Sequence, residues 1–211
     1  MQTLKITFPL IAILFCFQLY GQIPDSIPAP VLDFYGSGVY ANQINDRAPV
    51  ETRQFGQLNG IWYCTGTMPD PLGKVDKVTY TAFWAWKYIL DGYGVQDFWF
   101  QGKNEFLYWN YFKRDMMLTQ LRVYDTKEKI WKVAFINNNA GEVPGRMFGT
   151  FTAQEQAEGV VMDFMPRDTT NMNRIIFFDI TEESFEWRVE NSKDSGETWK
   201  VMSTISAKRM K

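Results

Sequence analysis

Histidine is absent from all 211 residues. That removes the commonest general base, the Ser-His-acid and Cys-His nucleophile systems, His-ligated haem and most zinc chemistry. Any catalysis would rest on carboxylates, Tyr, Lys or Arg. Asp97, between Gln96 and Phe98 and close to Trp99, is the carboxylate with an apolar setting. Asp91 and Asp125 stand in turn sequences, Asp91-Gly92 and Asp125-Thr126-Lys127, where an Asp that bonds its own backbone accounts for them. A glycosidase needs two carboxyls about 5 to 10 Å apart across a cleft, and no single segment encodes that spacing. No catalytic residue, metal ligand set or cofactor is assigned.

Cysteine adds little chemistry. Cys16 lies in an apolar N-terminal run, and Cys64 then stands alone, so no intramolecular disulfide is expected. Cys64 shares a strand face with Trp62 and reads as a small buried apolar thiol rather than a nucleophile. The outlier in composition is aromatic: 17% of the chain, with 8 Trp and 10 Tyr. Rings in that number imply either an aromatic core or a cavity lined with them.

Residues 1–21 carry one early cation, Lys5, then an apolar run and a small residue at Gly21, the pattern of a secretory signal peptide. The run is shorter than the roughly 20 residues that a bilayer span needs. Cleavage before Gln22 and export to the periplasm or the extracellular space are expected. Removing this leader moves the formal charge from −2 to −3 by loss of Lys5. The remaining basic residues are scattered, which disfavours nucleic acid as a partner. Residues 22–55 begin Pro-rich and form an N-terminal arm whose aromatics could dock on a neighbouring wall, cover an open end or meet a protein partner; a short helical turn is expected at 49–57.

Residues 56–211 read as one all-β domain, a single antiparallel up-and-down barrel of about ten strands. The first, at 60–67, carries Gly60 two residues before Trp62, which suits an indole plugging one end of a closed sheet while glycines let neighbouring backbone approach. Others are expected at 75–90, 95–101, 105–112, 118–124, 130–136, 146–151, 160–165, 174–180, 184–190 and 198–208. Asp91-Gly92 is a strong hairpin turn because both positions tolerate positive φ.

Period-two alternation assigns faces. On 81–90, Lys87 is expected to face water, with Phe83, Ala85 and Ile89, which turns Trp84, Trp86 and Tyr88 inward. On 118–124, either the face Leu118-Gln120-Arg122-Tyr124 or the face Thr119-Leu121-Val123 is inside. If the former, Arg122 and Tyr124 place a cation and a phenol among rings. Phe185, Trp187 and Val189 share a face opposite Glu186, Arg188 and Glu190, and the charged face is expected to be exposed. The expected ligand-binding set is Trp84, Trp86, Tyr88, Asp97, Trp99, Arg122 and Tyr124.

The order of Gly60-x-Trp62, Trp86 with Asp91-Gly92, Val95-Gln96-Asp97-x-Trp99, Leu121-Arg122-Val123-Tyr124-Asp125 ahead of Trp131, and Phe178-Asp179-Ile180-Thr181 with Ser184-Phe185-x-Trp187-Arg188 resembles bacterial secreted lipocalin-like, calycin-type barrel domains of unknown function. The resemblance implies a barrel and no reaction. It also implies that a basic side chain on the last strand, Arg209 with Lys208 second, packs across Trp62 as a structural closure. Separately, Ser192-Lys193-Asp194-Ser195-Gly196-Glu197-Thr198-Trp199 matches the Asp-box pattern found in sialidase propellers. A propeller requires repeats that this chain lacks, so Ser192, Asp194, Gly196 and Trp199 are expected to build a hairpin turn.

Three functions follow as expectations. The first is an exported barrel that binds a small apolar or amphipathic molecule in an aromatic-lined cavity. The second is a carboxylate-dependent enzyme, carbohydrate-active or otherwise, in the same barrel. The third is a structural or assembly module with an apolar surface patch and no small-molecule ligand.

Overall fold

Residues 26–36, 43–70, 73–102, 115–138, 148–164 and 170–211 are described by the computed structural model of the chain. Ten strands follow one another: β1 (Gly60–Pro69), β2 (Lys77–Ile89), β3 (Gly94–Gln101), β4 (Met116–Asp125), β5 (Ile130–Asn137), β6 (Phe148–Gln156), β7 (Gly159–Phe164), β8 (Met172–Phe178), β9 (Ser184–Ser192) and β10 (Lys200–Arg209). Each pairs antiparallel with the next, and β10 returns to β1, so the sheet closes into an up-and-down barrel. Closure removes the free edges that strands this apolar would otherwise offer to other chains.

The strand expected at 105–112, the start of that at 146–151, and the leader with Cys16 lie outside the described residues. β3 pairs directly with β4, from Gly94 opposite Val123 to Gln101 opposite Met116, so the circuit closes without a strand between them. The turn after β2 has the expected backbone, with φ of 52° at Leu90, 54° at Asp91 and 81° at Gly92.

Rings fill one end of the barrel. Trp62, Trp86, Trp131, Phe177 and Phe185 are fully buried or nearly so, and Phe55 enters among them from the helical turn α2 (Thr52–Gly56) that precedes β1. Phe55 meets Trp131 edge-on at 5.0 Å and Phe177 at 5.5 Å between ring centroids. Gln54 anchors the same turn, because its Oε1 accepts the Trp131 indole N–H at 2.8 Å. Helix α1 (Ala29–Gly36) lies instead on the outer wall, with Val31 buried against Ile61, Tyr63, Phe83, Ala85 and Phe100. Phe34 stacks on Phe98 at 5.1 Å.

That helix corrects one expectation. Lys87 points outward as alternation requires, yet it is only 8% exposed. Its Nζ donates to the Phe34 carbonyl at 2.8 Å and sits 4.1 Å over the Phe34 ring. A second expectation fails for a related reason: Glu190 is not exposed, because Arg174 from β8 and Arg188 from its own strand both donate to it at 2.7 Å.

Gly60 also differs in its neighbour. A Cβ there would lie 2.2 Å from Arg209 Nη1, and its φ is +135°, so the glycine admits a guanidinium rather than adjacent backbone. Among the described residues no helix is long and apolar enough to cross a membrane.

Candidate functional site

Inward positions on β2, β3 and β4 set the interior chemistry. Opposite the end packed by Phe55 the rings stop short of filling the barrel and leave a cavity of about 260 Å³. Small-molecule pockets run from roughly 300 to 1,000 Å³, so this one suits a small guest. Met68, Tyr80, Gln101 and Met116 line it together with Trp84, Trp99, Leu118, Gln120, Phe177 and Trp187. The Trp84 and Trp99 rings meet edge-on at 5.2 Å, which holds both against the wall.

Below the cavity lies an ion pair. Asp97 and Arg122 are both wholly buried, with Asp97 Oδ2 3.0 Å from Arg122 Nη2. Asp97 Oδ1 accepts the Gln120 backbone N–H at 2.8 Å, and Arg122 Nη2 donates to Gln120 Oε1 at 2.5 Å. The guanidinium is otherwise wrapped in rings, its carbon 4.5 Å from the Trp86 centroid and 4.8 Å from that of Phe55. Arg122 Nε and Nη1 have no acceptor, so those ring faces stand in for one.

Burial pushes the Asp97 carboxyl above its ordinary range, opposed by the Arg122 charge. Burial lowers Arg122 in turn, opposed by Asp97. Only the ionised pair is without net charge; protonation of Asp97 would leave the Arg122 charge uncompensated. The Trp84 indole N–H makes no well-directed hydrogen bond, and its pull on the carboxylate is that of a nearby dipole.

Of the residues singled out from sequence, Trp84 and Trp99 line the cavity. Trp86, Tyr88, Asp97, Arg122 and Tyr124 also point inward but belong to the packed half. The open choice on β4 is thereby decided, with Leu118, Gln120, Arg122 and Tyr124 inside. Tyr80 and Gln101 line it without having been singled out, although each continues the parity of Trp84 and Trp99, and Gln120 lies on the β4 face named as one of two candidates. Asp91 and Asp125 sit at turns, where Asp125 Oδ1 accepts the Lys127 and Glu128 backbone N–H groups at 3.0 and 2.9 Å.

The structural set gathers at two places. Arg209 lies over Trp62 beside Gly60 at the packed end. In the β9–β10 turn, Ser192 Oγ donates to Asp194 Oδ1 at 2.7 Å, and the Trp199 indole donates to the Gly196 carbonyl at 3.0 Å. Gly196 there takes φ of +92°.

No protein-family model and no curated protein matches the chain. Among solved structures it is similar to Rv2717c from M. tuberculosis, at 8% identity and a TM-score of 0.49 over 78% of this chain and 99% of that one. It is also similar to the S-type phycobiliprotein lyase CPES from Guillardia theta, at 12% identity and a TM-score of 0.48 over 78% and 94%. A redesigned β barrel, b11L5F_LGL, is similar at 11% identity and a TM-score of 0.38 over 75% and 96%.

Proposed function

We propose that this lipocalin-like barrel binds a small apolar or amphipathic molecule, and that it does so as an exported protein, periplasmic or extracellular. The observation that carries the binding reading is the cavity of about 260 Å³ at one end of an otherwise ring-packed interior. Interiors of proteins are close-packed, and an apolar space of this size in a barrel this rich in aromatic side chains is a place for a guest. The leader-like pattern of residues 1–21 supports export. Mass spectrometry of the secreted chain beginning at Gln22 is the expected result, and retention of residues 1–21 would remove that part.

Binding is tested by tryptophan emission, since Trp84, Trp99 and Trp187 line the cavity. A screen of lipids, pigments and aromatic metabolites should give saturable changes in emission. Leu118→Trp, which fills the space, should abolish them while leaving the unfolding transition cooperative. Unchanged binding in that variant would place the guest elsewhere.

A second reading has its own observation. Leu121 and Val123 on β4, and Ile136 and Phe148, which oppose each other on β5 and β6, are 40 to 62% exposed on the outer face of the barrel. Apolar side chains grouped this way suit an assembly surface. A solution mass above that of one chain, lost in Phe148→Glu, is its expected result.

The carboxylate enzyme gains no such support. Asp97 faces Arg122 rather than a second acid, and it lies outside the cavity lining.

A further inference from the structure

The rings that border the cavity are held in place by other rings. Trp84 packs against Trp86 at 5.0 Å, Phe177 at 5.6 Å and Phe185 at 5.7 Å between ring centroids. Two further indoles meet it edge-on. Trp99, its partner across β2 and β3, lies at 85° to it, and Trp187 on β9 lies at 82° to it with 6.3 Å between centroids. The wall of the cavity therefore carries indoles in more than one orientation, each with a negative face and a positive edge.

Thioethers join them. Met68 from β1, Met116 from β4 and Met162 from β7 line the same space. Methionine sulfur is polarizable and gains from contact with an aromatic ring, often at its edge, and the unbranched side chain adapts to the shape it meets.

A saturated guest uses such a wall as apolar area alone, whereas an aromatic one also meets its quadrupoles and sulfurs. Whether an indole turns its face or its edge to the cavity, a flat aromatic molecule has the complement. Leu118, Ile175 and Ile205 line the cavity too and discriminate little between the two classes, so the rings and thioethers decide. Rings already packed in place also need little ordering when a guest arrives.

We infer that the guest is a flat aromatic molecule rather than an acyl chain or a saturated polycycle, and that Trp84, Trp99 and Trp187 select it. The inference rests on the reading of the cavity as a binding site. It names the chemical class that site takes.

The test is equilibrium dialysis of the purified protein against naphthalene and cis-decalin, two fused ten-carbon bicycles, with the bound amount read by gas chromatography. Each association constant is divided by the compound's own partition from water into hexadecane, which removes the part due to apolar area. The corrected constants should favour naphthalene by about three- to ten-fold, the worth of an aromatic contact of ordinary strength. Trp187 is only partly buried, and Trp187→Leu keeps an apolar side chain there while removing the ring, so it should shrink that ratio. Trp99→Leu gives a second reading if Trp187→Leu fails to fold. A ratio near one, a preference for decalin, or a ratio unchanged in both variants overturns this inference and leaves the binding reading intact. Binding of neither compound overturns both.

Discussion

Arg209 lies over the ring of Trp62, its guanidinium carbon 4.0 Å from the ring centroid, and the two residues are direct partners across β1 and β10 where the barrel closes. The same guanidinium donates to the Asn59 carbonyl at 2.5 Å and to the carbonyl of Glu182. It thus joins the segment before β1 to the turn before β9. Arg209→Leu should cost about 2 to 3 kcal/mol, from one cation–π contact and charge-assisted hydrogen bonds. Arg209→Lys should fall between, because an ammonium cannot reproduce the fork. Gly60→Ala should cost about 1 to 3 kcal/mol, since it adds a Cβ where the guanidinium lies and where φ is positive. Urea denaturation measures all three, and a Gly60→Ala midpoint equal to that of the unaltered protein would refute the close approach.

The buried pair should be strongly non-additive. Arg122→Met leaves Asp97 without its counter-charge and should cost about 3 to 5 kcal/mol, whereas Asp97→Leu combined with Arg122→Met should recover much of that loss. A double-mutant cycle reads the coupling directly.

The pH dependence of the same pair has a definite sign. Burial raises the folded-state pKa of Asp97 above its ordinary value. Such a carboxyl contributes stability that is complete below the ordinary value and is lost as pH rises through the raised one. Arg122 opposes that loss, so Arg122→Met should lose stability more steeply than the unaltered protein from the ordinary carboxylate range upward. Unfolding free energies at a series of pH values, compared between the two proteins, check it; parallel curves would contradict it.

Cys64 is wholly buried, and burial pushes its thiol well above the ordinary value. Alkylation by iodoacetamide requires the thiolate and access to it. The peptide containing Cys64 should stay unmodified in the native protein through mildly alkaline pH and become fully modified in guanidinium chloride. Mass spectrometry of that peptide is the measurement.

Asp194 behaves in the opposite sense. Hydrogen bonds from the Thr198 side chain, the Thr198 backbone and Ser192 hold its carboxyl down to about 2. Its contribution to the β9–β10 turn is present above the ordinary carboxylate value and is lost as pH falls through about 2. An NMR titration of the Asp194 carboxyl carbon should find its midpoint there, and Thr198→Val should raise it.

Alternation made the interior legible where a strand carries one unmistakable outward residue. Lys87 fixed the parity of β2 and with it Trp84, Trp86 and Tyr88, and the barrel itself followed from turns such as Asp91-Gly92. What alternation cannot encode is covering by another segment. Lys87 and Glu190 point outward, yet Phe34 from α1 shields the first and Arg174 from β8 the second. The division of the interior escaped for the same reason. Trp84 and Trp86 share a face and a residue type, and only Phe55, inserted from outside the sheet, decides that one borders empty space and the other is packed. Gln120 differs again: its parity was legible, but the direction of its amide depends on Arg122, two residues along, being buried beside Asp97.

Phe55 and the Arg209 clasp make the barrel a sack rather than a tube. A guest in the cavity would rest against a floor of rings at that end. Side-chain bulk at that floor then sets how deep a guest can sit.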